Sequence, residues 1–220
     1  MVDEYLSERE QADQLRYWLR ENWIWLVTGV ALTLGGYYGF RWWESRQSSR
    51  SLEAGQRFAE MLEALGKNQR DEGKRIGAEV SGEYADTPYA DQAELVLARL
   101  DVEAGDLAGA ETRLARIARE GEDPDLRLVA RLRVVRVQLA QGRYDDTLAT
   151  LDAIEEPAVE ARVLELRGDV QLARGDKAAA LESWRRAQAA AAADQAGARL
   201  LDAELLRLKI DELNATQATE

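Results

Sequence analysis

The sequence predicts an all-α chain: a single N-terminal transmembrane helix followed by an α-solenoid of repeated helix pairs. Three observations carry that prediction. Residues 23–40 read WIWLVTGVALTLGGYYGF, without a charge. Three glycine-led segments further on align at intervals of 37 and 33 residues. The composition, with 36 Ala and only 3 Pro in 220 residues, favours helix throughout.

The elements follow in chain order. Residues 1–22 form a short tail, and residues 5–21 are amphipathic, with Leu15, Trp18 and Leu19 at helical spacing. Two readings stand side by side: a cytoplasmic or interfacial extension of the following helix, or a solvated charged tail. Residues 23–43 are the expected transmembrane helix. Eighteen uncharged residues at ~1.5 Å each span about 27 Å, close to the hydrocarbon thickness of a bilayer. Trp18, Trp23 and Trp25 flank one end, and Tyr37, Tyr38, Trp42 and Trp43 flank the other. Aromatic rings favour the headgroup level, and Arg20 and Arg41 can reach outward to it. Large residues follow where a leader peptidase would need small ones, so the segment reads as an uncleaved anchor. Orientation stays open: Arg9, Arg16 and Arg20 precede the helix, and Arg41, Arg46, Arg50 and Arg57 follow it. That slight excess favours a cytoplasmic C-terminus. Gly35 and Gly39 make a G-x-x-x-G, which suits close packing of a second helix in lipid. Gly is also simply common in membrane helices.

Residues 44–51 (ESRQSSRS) read as a polar linker, and 52–213 as the repeat domain. GDLAGAETRLARI begins at Gly105, GRYDDTLATLDAI at Gly142 and GDKAAALESWRRA at Gly175. Pro88, Pro124 and Pro157 precede these glycines by 17, 18 and 18 residues. Proline suits a first helical position and glycine the left-handed turn that ends a helix. Thr87 and Asp123 precede two of the prolines as expected N-caps. Each unit is therefore helix, tight turn, helix, near the 34-residue tetratricopeptide period. Five residues past each turn glycine stand Ala110, Thr147 and Ala180, and four further on Leu114, Leu151 and Trp184. The small residue admits the neighbouring helix, and Thr147 is expected to loosen the middle unit. Seven before the turn the pattern prefers Gly, met only at Gly168. First helices are apolar nearly all round, as Leu126, Leu128, Val129, Leu132, Val134, Val135, Val137 and Leu139 show. Second helices are one-sided. Residues 52–65 and 68–84 read as a divergent first pair with turn glycines Gly66 and Gly73. Residues 195–213 cap the solenoid, and 214–220 fray.

Several function classes are excluded. The chain has no His and no Cys, which removes imidazole bases, thiol chemistry and the usual zinc sites. Asp145–Asp146 and Glu155–Glu156 are sequence neighbours whose carboxylates diverge. No phosphate-binding or nucleophile-elbow motif occurs. The chain is expected not to be an enzyme and to need no cofactor or metal. A net charge of −12 without a basic block argues against nucleic acid. What remains is binding on the concave face, lined by first helices. The repeat register places Gln92, Leu95, Arg99, Glu103, Val129, Leu132, Arg136, Leu139, Arg162, Glu165 and Asp169 there as a candidate partner-binding groove. The same Leu and Val would alternatively fill the space between helices, and the charges would be ordinary solvated surface.

Segments at the two ends carry a resemblance. EQADQLRYWLREN (10–22), a Gly-rich span and RWW (41–43) are followed in order by DTPYADQAELVLARL (86–100), GDLAGAETRL (105–114), LRGDVQLARGDKAAALESW (166–184) and LRLKIDEL (206–213). Together they resemble the YfgM family of ancillary SecYEG translocon subunits. The resemblance implies a bacterial inner-membrane protein with a cytoplasmic N-terminus and a periplasmic helical domain. It implies as partners the SecYEG translocon, a PpiD-type membrane-anchored periplasmic chaperone, exported unfolded proteins and membrane lipid. The implied role is to pass exported proteins to periplasmic chaperones. The alternative is a cytoplasm-facing anchored adaptor unrelated to export.

Overall fold

The computed structural model describes residues 8–194, 199 and 201–217. The chain divides into two compact units, Met1–Glu53 and Ala54–Glu220. Among the described residues every regular element is helical.

Helix α1 (Glu8–Gly66) runs through both units. The linker expected at 44–51 is therefore helix. No Gly or Pro lies between residues 40 and 54, and Glu, Arg, Gln and Ser at exposed positions let a helix continue. Residues 23–43 are helical too, with Trp25, Leu32 and Tyr38 exposed by 76%, 72% and 67%. Their apolarity falls short of the transmembrane expectation: among the described residues no helix is long and apolar enough to cross a membrane. Four glycines and the polar atoms of the Trp and Tyr rings dilute the hydropathy of this stretch. Among the described residues no heavy atom lies within 4 Å of where a Cβ at Gly35 or Gly39 would stand, so their small size answers no contact there.

In the second unit α2 (Arg70–Glu83) pairs with the end of α1. Then come α3 (Pro88–Glu103), α4 (Leu107–Glu120), α5 (Pro124–Ala140), α6 (Tyr144–Asp152), a 3-10 turn (Pro157–Val159), α7 (Glu160–Ala173), α8 (Lys177–Ala193) and α9 (Ala203–Gln217). The turn glycines Gly105, Gly142 and Gly175 have φ of +81°, +73° and +85°, where an L side chain is strained. In the divergent first pair Asn68 takes that role at +60°, in place of the expected Gly66. Gly73 is no turn residue at all. It is buried inside α2, where a Cβ would lie 2.4 Å from Leu65 Cδ2, so it lets two helices approach.

Each helix packs mainly on its sequence neighbours, and successive first helices also touch, α3 on α5 and α5 on α7. That is the stacking of a tetratricopeptide-like solenoid. Helix α5 explains why first helices are so apolar. Val134, Val137 and Leu126 join Leu95, Ala98, Ala110, Leu114 and Ile117 on one side. Val135, Leu128, Leu132 and Leu139 join Leu151, Val163, Leu166 and Val170 on the other. Second helices bury one stripe, in α4 Ala110, Leu114 and Ile117.

Capping varies between the units. The Asp106, Asp123 and Asp176 carboxylates accept hydrogen bonds from the backbone N–H groups of Gly109, Asp125 and Ala179 at 2.9, 2.8 and 3.0 Å. Thr87 does not cap α3. Its hydroxyl donates back to the Tyr84 carbonyl at 2.8 Å. Thr147 is fully buried, and its hydroxyl donates to the Arg143 carbonyl four residues earlier, so it carries no unmet polar group. The last helix runs to Gln217, so the fraying expected from residue 214 is not seen there. Residues 1–7 of the expected tail, 195–198 and 200 of the expected cap, and 218–220 lie outside the described residues.

Candidate partner-binding groove

The register-based prediction divides when its residues are placed on the structure. Leu95 and Arg99 of α3 and Arg136 of α5 meet at one groove, a cavity of about 420 Å³ between α3, α4 and α5. Helix α3 also contributes Ala98 and Val102, α4 contributes Leu107 and Leu114, and α5 contributes Arg133, Val137 and Ala140. The floor belongs to the core, since Leu95, Ala98, Leu114 and Val137 are all buried. The rim is cationic. Arg99 Nε lies 3.1 Å from Glu103 Oε1, and Glu103 also faces Arg70 at 3.2 Å. Among the described residues Arg133 and Arg136 make no ion pair. Desolvation at the groove wall, then the like charges of Arg136 and Arg99, hold the Arg133 guanidinium below the ordinary arginine range.

The other predicted groove residues are elsewhere. Gln92 is half-buried and Val129 exposed, and neither lines this cavity. Leu132 and Leu139 fill the space between α5 and the next unit, so for them the packing alternative holds. Arg162, Glu165 and Asp169 are not an open surface. Glu165 is 1% exposed and is bonded by Arg162 and by Lys209 Nζ, the latter at 3.0 Å. Lys209 also donates to Asp169 Oδ1 at 2.7 Å and stands 5.7 Å from the centre of the Trp184 ring. Trp184 Nε1 donates to the Glu165 carbonyl and to Asp169, both at 3.1 Å. Lys209 lies on α9, whose Leu206, Ile210 and Leu213 pack on Leu164, Leu181, Trp184 and Ala187. The third unit's share of the expected groove is thus taken up in seating the last helix.

Arg133 was missed although a signal existed: it stands three residues before Arg136, hence on the same face of α5. Lys209 gave no signal, because its partners lie 44 and 40 residues away in sequence.

A second acidic network spans α2, α3 and α4. Arg113 reaches Glu94 at 2.9 Å and Asp101 at 2.8 Å, Arg116 reaches Glu94 at 3.3 Å, and Lys74 reaches Asp101 at 3.4 Å. Burial lowers the Arg113 value, but its hydrogen bonds to Glu94 and Asp101 outweigh that and leave it raised. Both buried carboxylates are neutralised, so this network holds helices together.

Comparison with known proteins agrees with this architecture. The chain is 28% identical over 208 residues to a Haemophilus influenzae protein named Ancillary SecYEG translocon subunit, covering 94% of this chain and 98% of the relative. Relatives of the same name from Escherichia coli and Neisseria gonorrhoeae are each 29% identical, over 96% and 95% of this chain and 98% of their own length. No solved structure matches. The resemblance carried by the two end segments is thus matched by relatives that span almost the whole chain. The family described as Tetratricopeptide repeat-like domain matches residues 16–215. Since that match takes in the second unit from its first helix pair to α9, the chain belongs to the tetratricopeptide repeat-like domain family, and its relatives are ancillary SecYEG translocon subunits.

Proposed function

We propose that this protein is a non-enzymatic scaffold at the Sec translocon, anchored in the bacterial inner membrane, whose repeat domain binds polypeptides. The observation that carries the reading is end-to-end similarity to relatives named ancillary SecYEG translocon subunits, 98% of whose length is covered. The groove is consistent with binding rather than reaction. Its polar side chains are the guanidinium groups of Arg99, Arg133 and Arg136, forks of donors suited to holding a carboxylate.

Residues 23–43 are the segment proposed to meet lipid, with 1–22 on the cytoplasmic side and the repeat domain (52–213) in the periplasm. Supporting this, residues 23–40 carry no charge and their large apolar side chains are exposed. The Thr28 and Thr33 hydroxyls donate to the Ile24 and Gly29 carbonyls at 2.7 and 2.8 Å, so neither depends on water. A large C-terminal domain crosses largely regardless of flanking charge, which outweighs the excess of one Arg. Anchoring keeps the groove near emerging chains, and binding becomes quasi-intramolecular. The proposed partners are SecYEG, a PpiD-type chaperone and exported proteins in transit between them.

A photoreactive residue in place of Val129, activated in native membranes, is expected to yield adducts with a Sec subunit or a periplasmic chaperone. Recovery of neither would end this reading. Resistance of the chain to alkaline carbonate extraction tests the anchor, and release into the supernatant would refute it. Alkaline phosphatase fused after Glu220 is expected to be active. An inactive fusion would favour the cytoplasm-facing adaptor, which the Arg excess after residue 40 supports.

A further inference from the structure

We infer that the groove between α3, α4 and α5 receives an acidic peptide segment with an apolar centre: Arg99, Arg133 and Arg136 hold its carboxylates while Val102 and the floor take one or two apolar side chains. This rests on the scaffold reading and specifies the chemistry of its partner. Three observations carry it.

The rim is charged against the grain of the molecule. In a chain of net charge −12, three arginines converge on one cavity, and among the described residues only Arg99 has a carboxylate partner. Burial first, and then the like charges of Arg136 and Arg99, lower the Arg133 value, so the partly desolvated wall carries an unrelieved repulsion. An arriving carboxylate relieves it. The guanidinium fork matches a carboxylate in shape as well as in charge.

The floor is apolar but shallow. Leu95, Leu114 and Val137 are already committed to the core, at 7%, 2% and 5% exposure, and the openly presented apolar lining is Val102, at 42%, and the small Ala140. Such a floor accepts a side chain and has no depth for a lipid tail. The position fits as well, because first helices of neighbouring units supply the arginines and an extended segment can run from one unit to the next.

The test uses the full chain in a non-ionic detergent and a fluorescein-labelled peptide, Asp-Glu-Leu-Phe-Asp-Glu, read by anisotropy. Its counterparts are Asn-Gln-Leu-Phe-Asn-Gln, without charge, and Asp-Glu-Ser-Ser-Asp-Glu, without the apolar centre. We expect the first to bind, with affinity falling as salt rises, and both counterparts to bind about tenfold more weakly or worse. Arg133→Gln with Arg136→Gln should weaken the acidic peptide about tenfold and leave the uncharged one unchanged. Both side chains are exposed, so a circular-dichroism melt close to that of the unmodified chain is expected. Val102→Ser gives a second variant, which should weaken the peptides that carry Leu and Phe and spare the Ser-Ser one. Absence of binding, equal binding of charged and uncharged peptides, or an unchanged affinity in the double variant each overturns the inference. Arginine-dependent displacement of the peptide by soluble dihexanoylphosphatidylglycerol, with no preference among the peptides, would reassign the groove to lipid and also overturn it. Crosslinking to Sec subunits is scored separately. Adducts without peptide binding remove the inference alone, and loss of adducts removes the scaffold reading beneath it.

Discussion

Trp184 and Gly168 form one contact. A Cβ at position 168 would lie 2.4 Å from Cδ1 and Nε1 of Trp184, so the ring occupies the space that the missing side chain leaves. Gly168→Ala is expected to cost about 1–3 kcal/mol by overpacking, read from urea unfolding. The sequence pattern marked both residues, because a small residue in the first helix facing a bulky one in the second is a local, periodic requirement. The charges around them were not legible in the same way. Arg162, Glu165 and Asp169 were assigned to an open face, yet Glu165 and Asp169 hold Lys209 from α9. Lys209→Met leaves a carboxylate that is 1% exposed with Arg162 as its charged partner. Its expected cost is about 3 kcal/mol, and adding Glu165→Gln and Asp169→Asn should recover part of it. A cycle of melting curves comparing Lys209→Met, the Glu165→Gln and Asp169→Asn pair, and all three together measures that coupling, and strict additivity would refute it.

At the scale of elements, Pro88 and Pro124 mark helix starts and the turn glycines mark helix ends, since each acts through its own backbone, whereas Pro157 opens a 3-10 turn and α7 begins only at Glu160. Caps were less legible, because a side chain of the right type can bond elsewhere. Asp123 bonds two N–H groups of α5, whereas Thr87 turns back to the Tyr84 carbonyl. Asp123→Ala should therefore cost about 1 kcal/mol in thermal unfolding, and Thr87→Ala should cost less. Equal costs would contradict the observed geometry. The unexpected continuity of α1 has the same kind of cause. Residues 44–51 read as a linker by polarity alone, yet polarity separates exposed from buried and does not separate helix from coil. The two-sided burial of α5 was legible as near-uniform apolarity. Which side each residue faces was not, and so Leu132 and Leu139 were assigned to the groove when they pack against the neighbouring unit.

For the whole chain, the repeat class and most of the helix pairs were legible from spacing, because every unit meets the same packing demand. The candidate site was legible only in part: Leu95, Arg99 and Arg136 meet there, while Arg133 and the contribution of α4 emerge from the folded arrangement. Contacts run almost wholly between neighbours, so stability is close to a sum over units and interfaces. The last interface depends on Leu206, Ile210 and Leu213. Ending the chain after residue 194 should lower stability by on the order of 5 kcal/mol and make α7 and α8 the first segments cut in limited proteolysis. Unchanged protection there would refute the capping role of α9. The position of Trp184 has an optical consequence. Five of the six tryptophans lie between residues 18 and 43, which leaves the repeats a single indole, at the junction that α9 closes. With the other five changed to phenylalanine, a shift of its intrinsic emission on loosening would distinguish melting that begins at the C-terminal end from melting that begins at the first pair, with no label added.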